Sequence, residues 1–120
     1  MKEHDIQNKI RLELGQKIPD SVLFRTNVGQ AWIGSRIEDN RYLNGTVLIH
    51  DARPFFTGLP QGFSDLFGVL PGGRAVFLEI KGPKGKASQE QLNFLSQMLN
   101  LGAAAGVAKS IEDAIWIAQR

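Results

Sequence analysis

Three charged side chains lie within two apolar runs near the middle of the chain. The runs SDLFGVL and RAVFLEIK flank a Pro-Gly-Gly turn centred on Gly72, and they carry Asp65, Glu79 and Lys81. Two carboxylates that lie close together can hold a hard divalent cation, and a nearby amine can orient a water molecule. These residue types therefore indicate hydrolytic chemistry, provided that the fold brings them together.

A hairpin about Gly72 would bring the two acids together. Asp65 lies seven residues before Gly72 and Glu79 lies seven after it, so the two would face each other directly. The Cβ atoms of such pairs are ~4.5–5.5 Å apart. Alternation along the strands separates two faces, and both are largely apolar, which predicts a sheet that is covered on both sides. The first face carries Asp65, Phe67, Val69, Ala75, Phe77, Glu79 and Lys81, and the second carries Leu66, Leu70, Val76, Leu78 and Ile80.

Two carboxylates that face each other in a partly buried position repel each other, and burial also opposes their ionisation. The pair then needs a cation, or one member must hold a proton. Oxygen ligands without cysteine favour Mg²⁺ or Mn²⁺, as one ion or two. The alternative interpretation is that Asp65 marks a strand end and that Glu79 and Lys81 form a solvated pair at a sheet edge, because charged residues are usually exposed. A one-residue bulge would also spoil the facing geometry.

The surrounding elements are predicted from periodicity and turn residues. A helix over 3–15 has apolar residues every fourth position, a strand follows over 21–28, and Asn44-Gly45 predicts a two-residue hairpin turn. The stretch ARPFFTGLPQGF is predicted to be a loop. After the two strands that carry the acids come a helix from Ser88, a strand in AAAGVAK and a last helix capped by Ser110. A helix between two strands implies a parallel crossover, so we expect a mixed α/β fold with helices covering the sheet.

The composition is that of a water-soluble protein. At 120 residues we expect one domain, residues 1–120, with a single core. No apolar stretch is long enough for a membrane span, and the charged N-terminus is not a secretory signal. The absence of cysteine excludes disulfides and thiolate metal sites, and it fits a cytoplasmic location. A net charge of +2 is a weak indication of a polyanionic partner.

The sequence also resembles a known family. Asp65 followed by Glu79-Ile80-Lys81 is similar to the PD-(D/E)XK nuclease signature. The segments GFSDL and FLEIKGPKGKAS, followed by EQ and FL, resemble the small stand-alone VRR-NUC nucleases of virus type, and the likeness covers most of the chain. Ser64 stands where the signature has proline, a position that shapes the backbone and binds no metal.

The resemblance implies a restriction-endonuclease-like core and roles for particular residues. Asp65, Glu79 and the backbone carbonyl of Ile80 would ligate Mg²⁺ or Mn²⁺, and Lys81 would position or deprotonate the attacking water. Glu3 resembles the acid on the family's first helix, although an acid in a first turn also suits the helix dipole. Gln91 resembles the glutamine that borders the active site. It also completes the capping-box pattern Ser88-x-x-Gln91.

The expected partner is DNA. Lys84 and Lys86 in the loop GPKGK would contact phosphate, as would Arg25 and Arg53, although lysines in turns are usually only solvated. The resemblance implies a homodimeric Holliday-junction resolvase of phage type in a bacterial or phage-infected cell. Alternatives are a flap- or end-directed repair nuclease, a restriction-type enzyme, a non-catalytic DNA-binding module and a small interaction protein in which Mg²⁺ only stabilises the fold.

Overall fold

The computed structural model of the chain describes residues 1–39 and 43–120. Three helices cover a central sheet: α1 (Glu3–Lys17), α2 (Gln89–Asn100) and α3 (Ile111–Gln119). The strands are β1 (Val22–Arg25), β2 (Gln30–Ile33), β3 (Arg36–Asp39), β4 (Val47–His50), β5 (Arg53–Phe56), β6 (Leu66–Val69), β7 (Ala75–Ile80) and β8 (Ala104–Ala108). None of the helices in these ranges is long and apolar enough to cross a membrane.

The central sheet has the order β1-β6-β7-β8 and is mixed, as the element order predicts. β6 is antiparallel to both β1 and β7, whereas β8 runs parallel to β7 after the crossover through α2. Close pairing of β1 with β6 depends on Gly68, because a Cβ at this position would lie 1.9 Å from the Val22 carbonyl oxygen. The strand that carries Glu79 is therefore internal, paired on both sides.

Both faces of the sheet are covered, which confirms the prediction from the two apolar faces. One face packs under α1 and α3 through Leu66, Val76, Leu78 and Ile80. The other packs under α2, where Phe67 and Phe77 join a cluster of aromatic rings with Phe63 and Phe94. Burial on both faces leaves the ends of β6 and β7 as the places where polar side chains can reach solvent.

Residues 30–39 and 43–56 form a separate two-stranded arm. β2 pairs with β5, and β3 pairs with β4. The pair Ile33–Arg53 in the first ladder and the pair Arg36–His50 in the second are separated by three residues on both strands, so the two ladders share one register. β5 lies inside the stretch that we predicted to be a loop, so that prediction was wrong there. The Pro-rich composition suggested a loop, but an edge strand of an open ribbon tolerates proline.

The predicted two-residue turn at Asn44-Gly45 is also wrong. The last described pair of the arm is Asp39 with Val47, and this register does not match the pairing of Leu43 with Thr46 that a two-residue turn would require; residues 40–42 lie outside the described residues. Asn44-Gly45 does form a turn, closed by a 3.2 Å hydrogen bond from Thr46 N to the Leu43 carbonyl. Only Gly45 has a positive φ there, at 76°, whereas a type I′ turn needs two such residues.

Candidate active site

The ends of β6 and β7 bring Asp65 and Glu79 face to face. Leu66 pairs with Leu78 and Val69 with Ala75, which is the register predicted from symmetry about Gly72. Beyond the pair Leu66–Leu78, the next hydrogen bond between the two segments involves a side chain instead of the backbone. Asp65 Oδ2 accepts it from Ile80 N at 2.8 Å. The Asp65 carboxylate therefore lies against the backbone of β7 beside Glu79, without a bulge between the two strands.

Glu79 is buried, with 1% of its surface exposed. Its Oε1 accepts a hydrogen bond from Gln91 Nε2 at 2.9 Å and lies 3.5 Å from Lys81 Nζ. Its Oε2 is also buried and has no hydrogen-bond partner within residues 1–39 and 43–120. Burial, and then the nearby negative charge of Asp65, raise the pKa of Glu79 to about 8, although Lys81 acts in the opposite direction. Glu79 and Lys81 therefore do not form a solvated pair at a sheet edge, which was the alternative interpretation of the sequence.

Gln91 forms the predicted capping box and also contacts Glu79 of the candidate site. In the capping box of α2, Ser88 Oγ accepts from Gln91 N at 3.2 Å and Gln91 Oε1 accepts from Ser88 N at 2.8 Å. This leaves the amide nitrogen of Gln91 to donate to Glu79. The start of α2 thus fixes the amide so that its donor points at the buried carboxylate.

A cleft of about 560 Å³ opens beside Asp65. It brings together four residues that the sequence singled out, and their companions come from α1, the end of β1 and the loop before Ser64. The predicted members are Glu3, Arg25, Asp65 and Gln91, and the others are His4, Gln7, Thr26, Asn27, Val28, Gln61, Gly62 and Phe63. Glu79 and Lys81 do not line this cleft, and Glu79 is connected to it through its hydrogen bond with Gln91.

Sequence reasoning missed several of these cleft residues. His4 on α1 lines the cleft while remaining exposed. Thr26 and Gln61 belong to irregular segments with no periodicity, so the only available signal was that Gln61 immediately precedes GFSD. Thr26 N donates to the Asp65 carbonyl at 3.0 Å, a contact between residues 39 positions apart.

A scan against protein-family models matches the sequence to a known domain. Residues 41–112, more than half of the chain, match the model described as the VRR-NUC domain. The chain belongs to the VRR-NUC family. This is a family of PD-(D/E)XK-like nuclease domains, so the chain carries a nuclease domain with DNA as the implied substrate. A search of curated proteins found no match.

The VRR-NUC match covers only part of the candidate site. Asp65, Glu79, Lys81 and Gln91 lie within the matched residues. Glu3 and Arg25 lie outside them, as do all the other cleft residues that α1 and β1 contribute. The case for those residues therefore depends on their position in the structure.

Nuclease domains of this family generally use divalent metals, and the VRR-NUC site here fits such an ion in part. The orphaned Glu79 Oε2 and the adjacent Asp65 carboxylate are oxygen donors that Mg²⁺ or Mn²⁺ prefers. Because the Ile80 N–H points at Asp65, the carbonyl of the same residue is directed to that side of the strand as well. No three Asp, Glu or His residues in the described ranges lie close enough together to hold a metal, so a bound ion would need main-chain oxygen and water to complete its coordination.

The predicted DNA-contacting residues of this VRR-NUC chain fall into three places. Arg25 lines the cleft. Lys84 lies on an adjoining depression that also includes Glu3, and Lys86 is exposed two residues further along the same loop. Arg53 pairs with Ile33 in the arm and does not line the cleft. The structure therefore places the first three near the candidate site and does not group Arg53 with them.

Proposed function

We propose that this chain is a divalent-metal-dependent endodeoxyribonuclease that cuts branched DNA, as a Holliday-junction resolvase of phage type acting as a homodimer. The observation that carries the proposal is the state of Glu79. It is a buried carboxylate with one orphaned oxygen, directly beside Asp65 and with Lys81 in reach. Such an arrangement is costly for a fold alone, and it is relieved by a shared cation.

The chain's own residues would divide the reaction as follows. Asp65, Glu79 and the Ile80 carbonyl hold the ion, and Gln91 keeps the Glu79 carboxylate oriented through its amide. A bound Mg²⁺ or Mn²⁺ neutralises charge on the phosphate and lowers the pKa of water. Lys81 is 15% exposed in its side chain, which leaves its ammonium able to reach a water molecule near Glu79. Glu3 lines the same cleft as Asp65, where its carboxylate would reach a bound ion through water.

The surface around the cleft supports a nucleic-acid substrate. Lys84 and Lys86 are exposed on a turn in which Gly85 N donates to the Gly82 carbonyl at 3.0 Å. This turn follows β7 directly, so both ammonium groups lie close to the end of the strand that carries Glu79. Together with Arg25 they supply positive charge on either side of the acids, and lysine contacts to phosphate give affinity without reading sequence.

The arm supports the homodimer. The radius of gyration of the chain is 17.0 Å, compared with about 14 Å for a compact chain of this length. The chain is therefore more extended than a single compact domain, as an arm that packs on no core would make it. An isolated two-stranded ribbon is marginally stable in water. Eight large apolar side chains of the arm are nevertheless exposed: Trp32, Ile33, Ile37, Leu43, Val47, Leu48, Phe55 and Phe56. A patch of several hundred Å² is typical of an interface, and a second copy would cover it symmetrically.

The dimer has a direct test in two tryptophans of similar exposure. Trp32 on the arm is 55% exposed and Trp116 on α3 is 60% exposed. We expect Trp32→Glu to convert the protein to a monomer in light scattering coupled to gel filtration, whereas Trp116→Glu leaves the dimer intact. A wild-type protein that is monomeric at micromolar concentration, or a Trp116→Glu variant that alone dissociates, would count against the arm as the interface.

Cleavage separates the candidate activities. Labelled four-way junction, flap and linear duplex are incubated with Mg²⁺, Mn²⁺ or EDTA. Symmetric, metal-dependent nicks in the junction are the expected result, and cutting of flaps alone would indicate the repair-type nuclease instead. Glu79→Ala should abolish cleavage and keep junction binding, while Glu90→Ala, at an exposed acid in the first turn of α2, serves as the matched control. Tight binding by the wild type without any cutting would indicate the non-catalytic DNA-binding module.

A further inference from the structure

The end of β1 holds the backbone that carries Asp65. Arg25, the last residue of β1, pairs with Leu66, so the next residue, Thr26, lies opposite Asp65. Thr26 N donates to the Asp65 carbonyl at 3.0 Å. The Thr26 hydroxyl hydrogen-bonds with the Ser64 carbonyl and lies 3.1 Å from the Asp65 carbonyl. One half-buried threonine thus contacts both peptide groups that flank the Asp65 Cα.

Ser64 makes this contact important. It stands where the nuclease signature has proline, and a proline would fix φ in the backbone just before the acid. Ser64 leaves that rotation free. It is fully buried, and its own hydroxyl donates to the Leu66 carbonyl at 2.9 Å. The hydrogen bonds of Thr26 and Ser64 together supply the restriction that the missing ring would have given.

The consequence reaches the acid pair. With the backbone of residues 64–66 fixed, Asp65 can place Oδ2 on Ile80 N and keep its carboxylate beside Glu79. A small rotation at Ser64 would swing the carboxylate along β7 and lengthen its distance from Glu79. Two carboxylates hold one ion only if their separation matches the coordination sphere, so backbone position at Asp65 controls affinity.

We infer that Thr26 is a positioning residue whose hydroxyl holds the Asp65 backbone at the distance from Glu79 that a shared divalent cation requires. It makes no contact with the ion or with the reacting atoms. This inference rests on the proposed function, since it presumes that Asp65 and Glu79 bind the ion. It adds a residue from outside the segment that matches the family model.

Mn²⁺ affinity in the absence of DNA tests the inference. Free Mn²⁺ is followed by electron paramagnetic resonance as the full chain is titrated. Thr26→Val keeps the side-chain shape and removes the hydroxyl, so the Kd for Mn²⁺ should rise about tenfold or more, as for other supporting partners of metal ligands. Thr26→Ser keeps the hydroxyl and should lie close to the wild type.

A matched control lies at the other end of the same strand. Ser21 Oγ donates to the Ile18 carbonyl at 2.6 Å, so Ser21→Ala also loses one hydroxyl-to-carbonyl bond near β1. It should leave the Mn²⁺ affinity unchanged. If Thr26→Val fails to fold, Thr26→Cys keeps the volume with a weaker donor and should show an intermediate Kd.

The outcomes distinguish this inference from the proposed function. Unchanged Mn²⁺ affinity in Thr26→Val, or in Thr26→Cys where the valine variant does not fold, overturns the inference. An equal loss in Thr26→Ser does so as well, because the hydroxyl would then not be the cause. If the wild type binds no Mn²⁺, or Asp65→Asn binds it as tightly as the wild type, the metal site itself is wrong and the proposed function fails first.

Discussion

The buried Glu79 predicts an unusual pH dependence of stability in the metal-free protein. Its pKa is raised from 4.5 to about 8 in the folded chain, mainly by burial and then by Asp65. Between these values the folded state binds a proton that the unfolded state has already lost. The free energy of unfolding therefore falls as the pH rises through this window, and below pH 4.5 the contribution of Glu79 to stability is fully present.

The magnitude follows from proton linkage. One proton of difference corresponds to about 1.4 kcal/mol for each pH unit, so the loss between pH 5 and pH 7 is roughly 3 kcal/mol. This is a large part of the 5–15 kcal/mol typical of a whole domain. Glu79→Gln removes the titration while it keeps the shape of the side chain, and its amide can donate to Asp65. The variant should therefore exceed the wild type in stability by a margin that grows with pH.

The assay is urea unfolding at pH 5, 6, 7 and 8 in the presence of EDTA, followed by circular dichroism. The quantity of interest is the difference in unfolding free energy between Glu79→Gln and the wild type, because other titrating groups cancel. Glu90→Gln, at an exposed acid of α2, should show no such trend. A difference that stays constant from pH 5 to pH 8 would refute the reasoning, since it would mean that Glu79 ionises normally inside the fold.

Three further predictions use the same surroundings. Mn²⁺ bound at the proposed site would displace the proton of Glu79, so the affinity for Mn²⁺ should rise with pH up to about 8, and calorimetry in buffers of different ionisation enthalpy should detect proton release. Replacing Lys84 and Lys86 together by alanine should weaken junction binding. The slope of log affinity against log salt concentration should become shallower by about two, because two phosphate contacts are lost. An unchanged slope would mean that neither lysine contacts phosphate. Gly62→Ala should lower stability by about 1–3 kcal/mol in urea unfolding, because its φ is 92° and a Cβ would lie 2.7 Å from the Glu90 carbonyl oxygen. Gly58→Ala, with a similar φ and open space, should cost less, and equal losses would exclude the steric explanation.

The central hairpin could be predicted from sequence because two independent constraints agree. The apolar faces of β6 and β7 fix which residues point inward, and the Pro-Gly-Gly turn fixes the register. A slip of one residue would have moved Leu66 and Leu78 out of the core, so only the observed pairing buries both. The facing of Asp65 and Glu79 follows from that register alone.

The arm could not be predicted in the same way. Its strands bury neither face, so a slip of register would change the folding free energy little. The hydrophobic pattern therefore does not determine which residues pair. Asn44-Gly45 then became the only local signal. It forms a turn, but the pairing of Asp39 with Val47 shows that it does not close the ladder. Turn chemistry decides a hairpin only when the strands beside it are constrained.

The cleft shows a third limit. Thr26 follows a regular element, and nothing in its spacing relates it to Asp65. Its proximity to Asp65 results from the antiparallel pairing of β1 with β6, which brings together residues 39 positions apart. Long-range contacts of this kind depend on topology, and topology is visible in a single sequence only through the strands that are strongly patterned.

The position of Glu79 in the sheet explains how the fold tolerates it. β7 is paired on both sides and its neighbours Leu78 and Ile80 are fully buried, so the strand is held in place whatever the charge of Glu79. A carboxylate on an edge strand would escape to solvent and lose its raised pKa. Here the core enforces the burial, Gln91 satisfies one oxygen, and the other remains available. The same packing that destabilises the metal-free protein at neutral pH would therefore keep an oxygen ligand in place for the proposed cation.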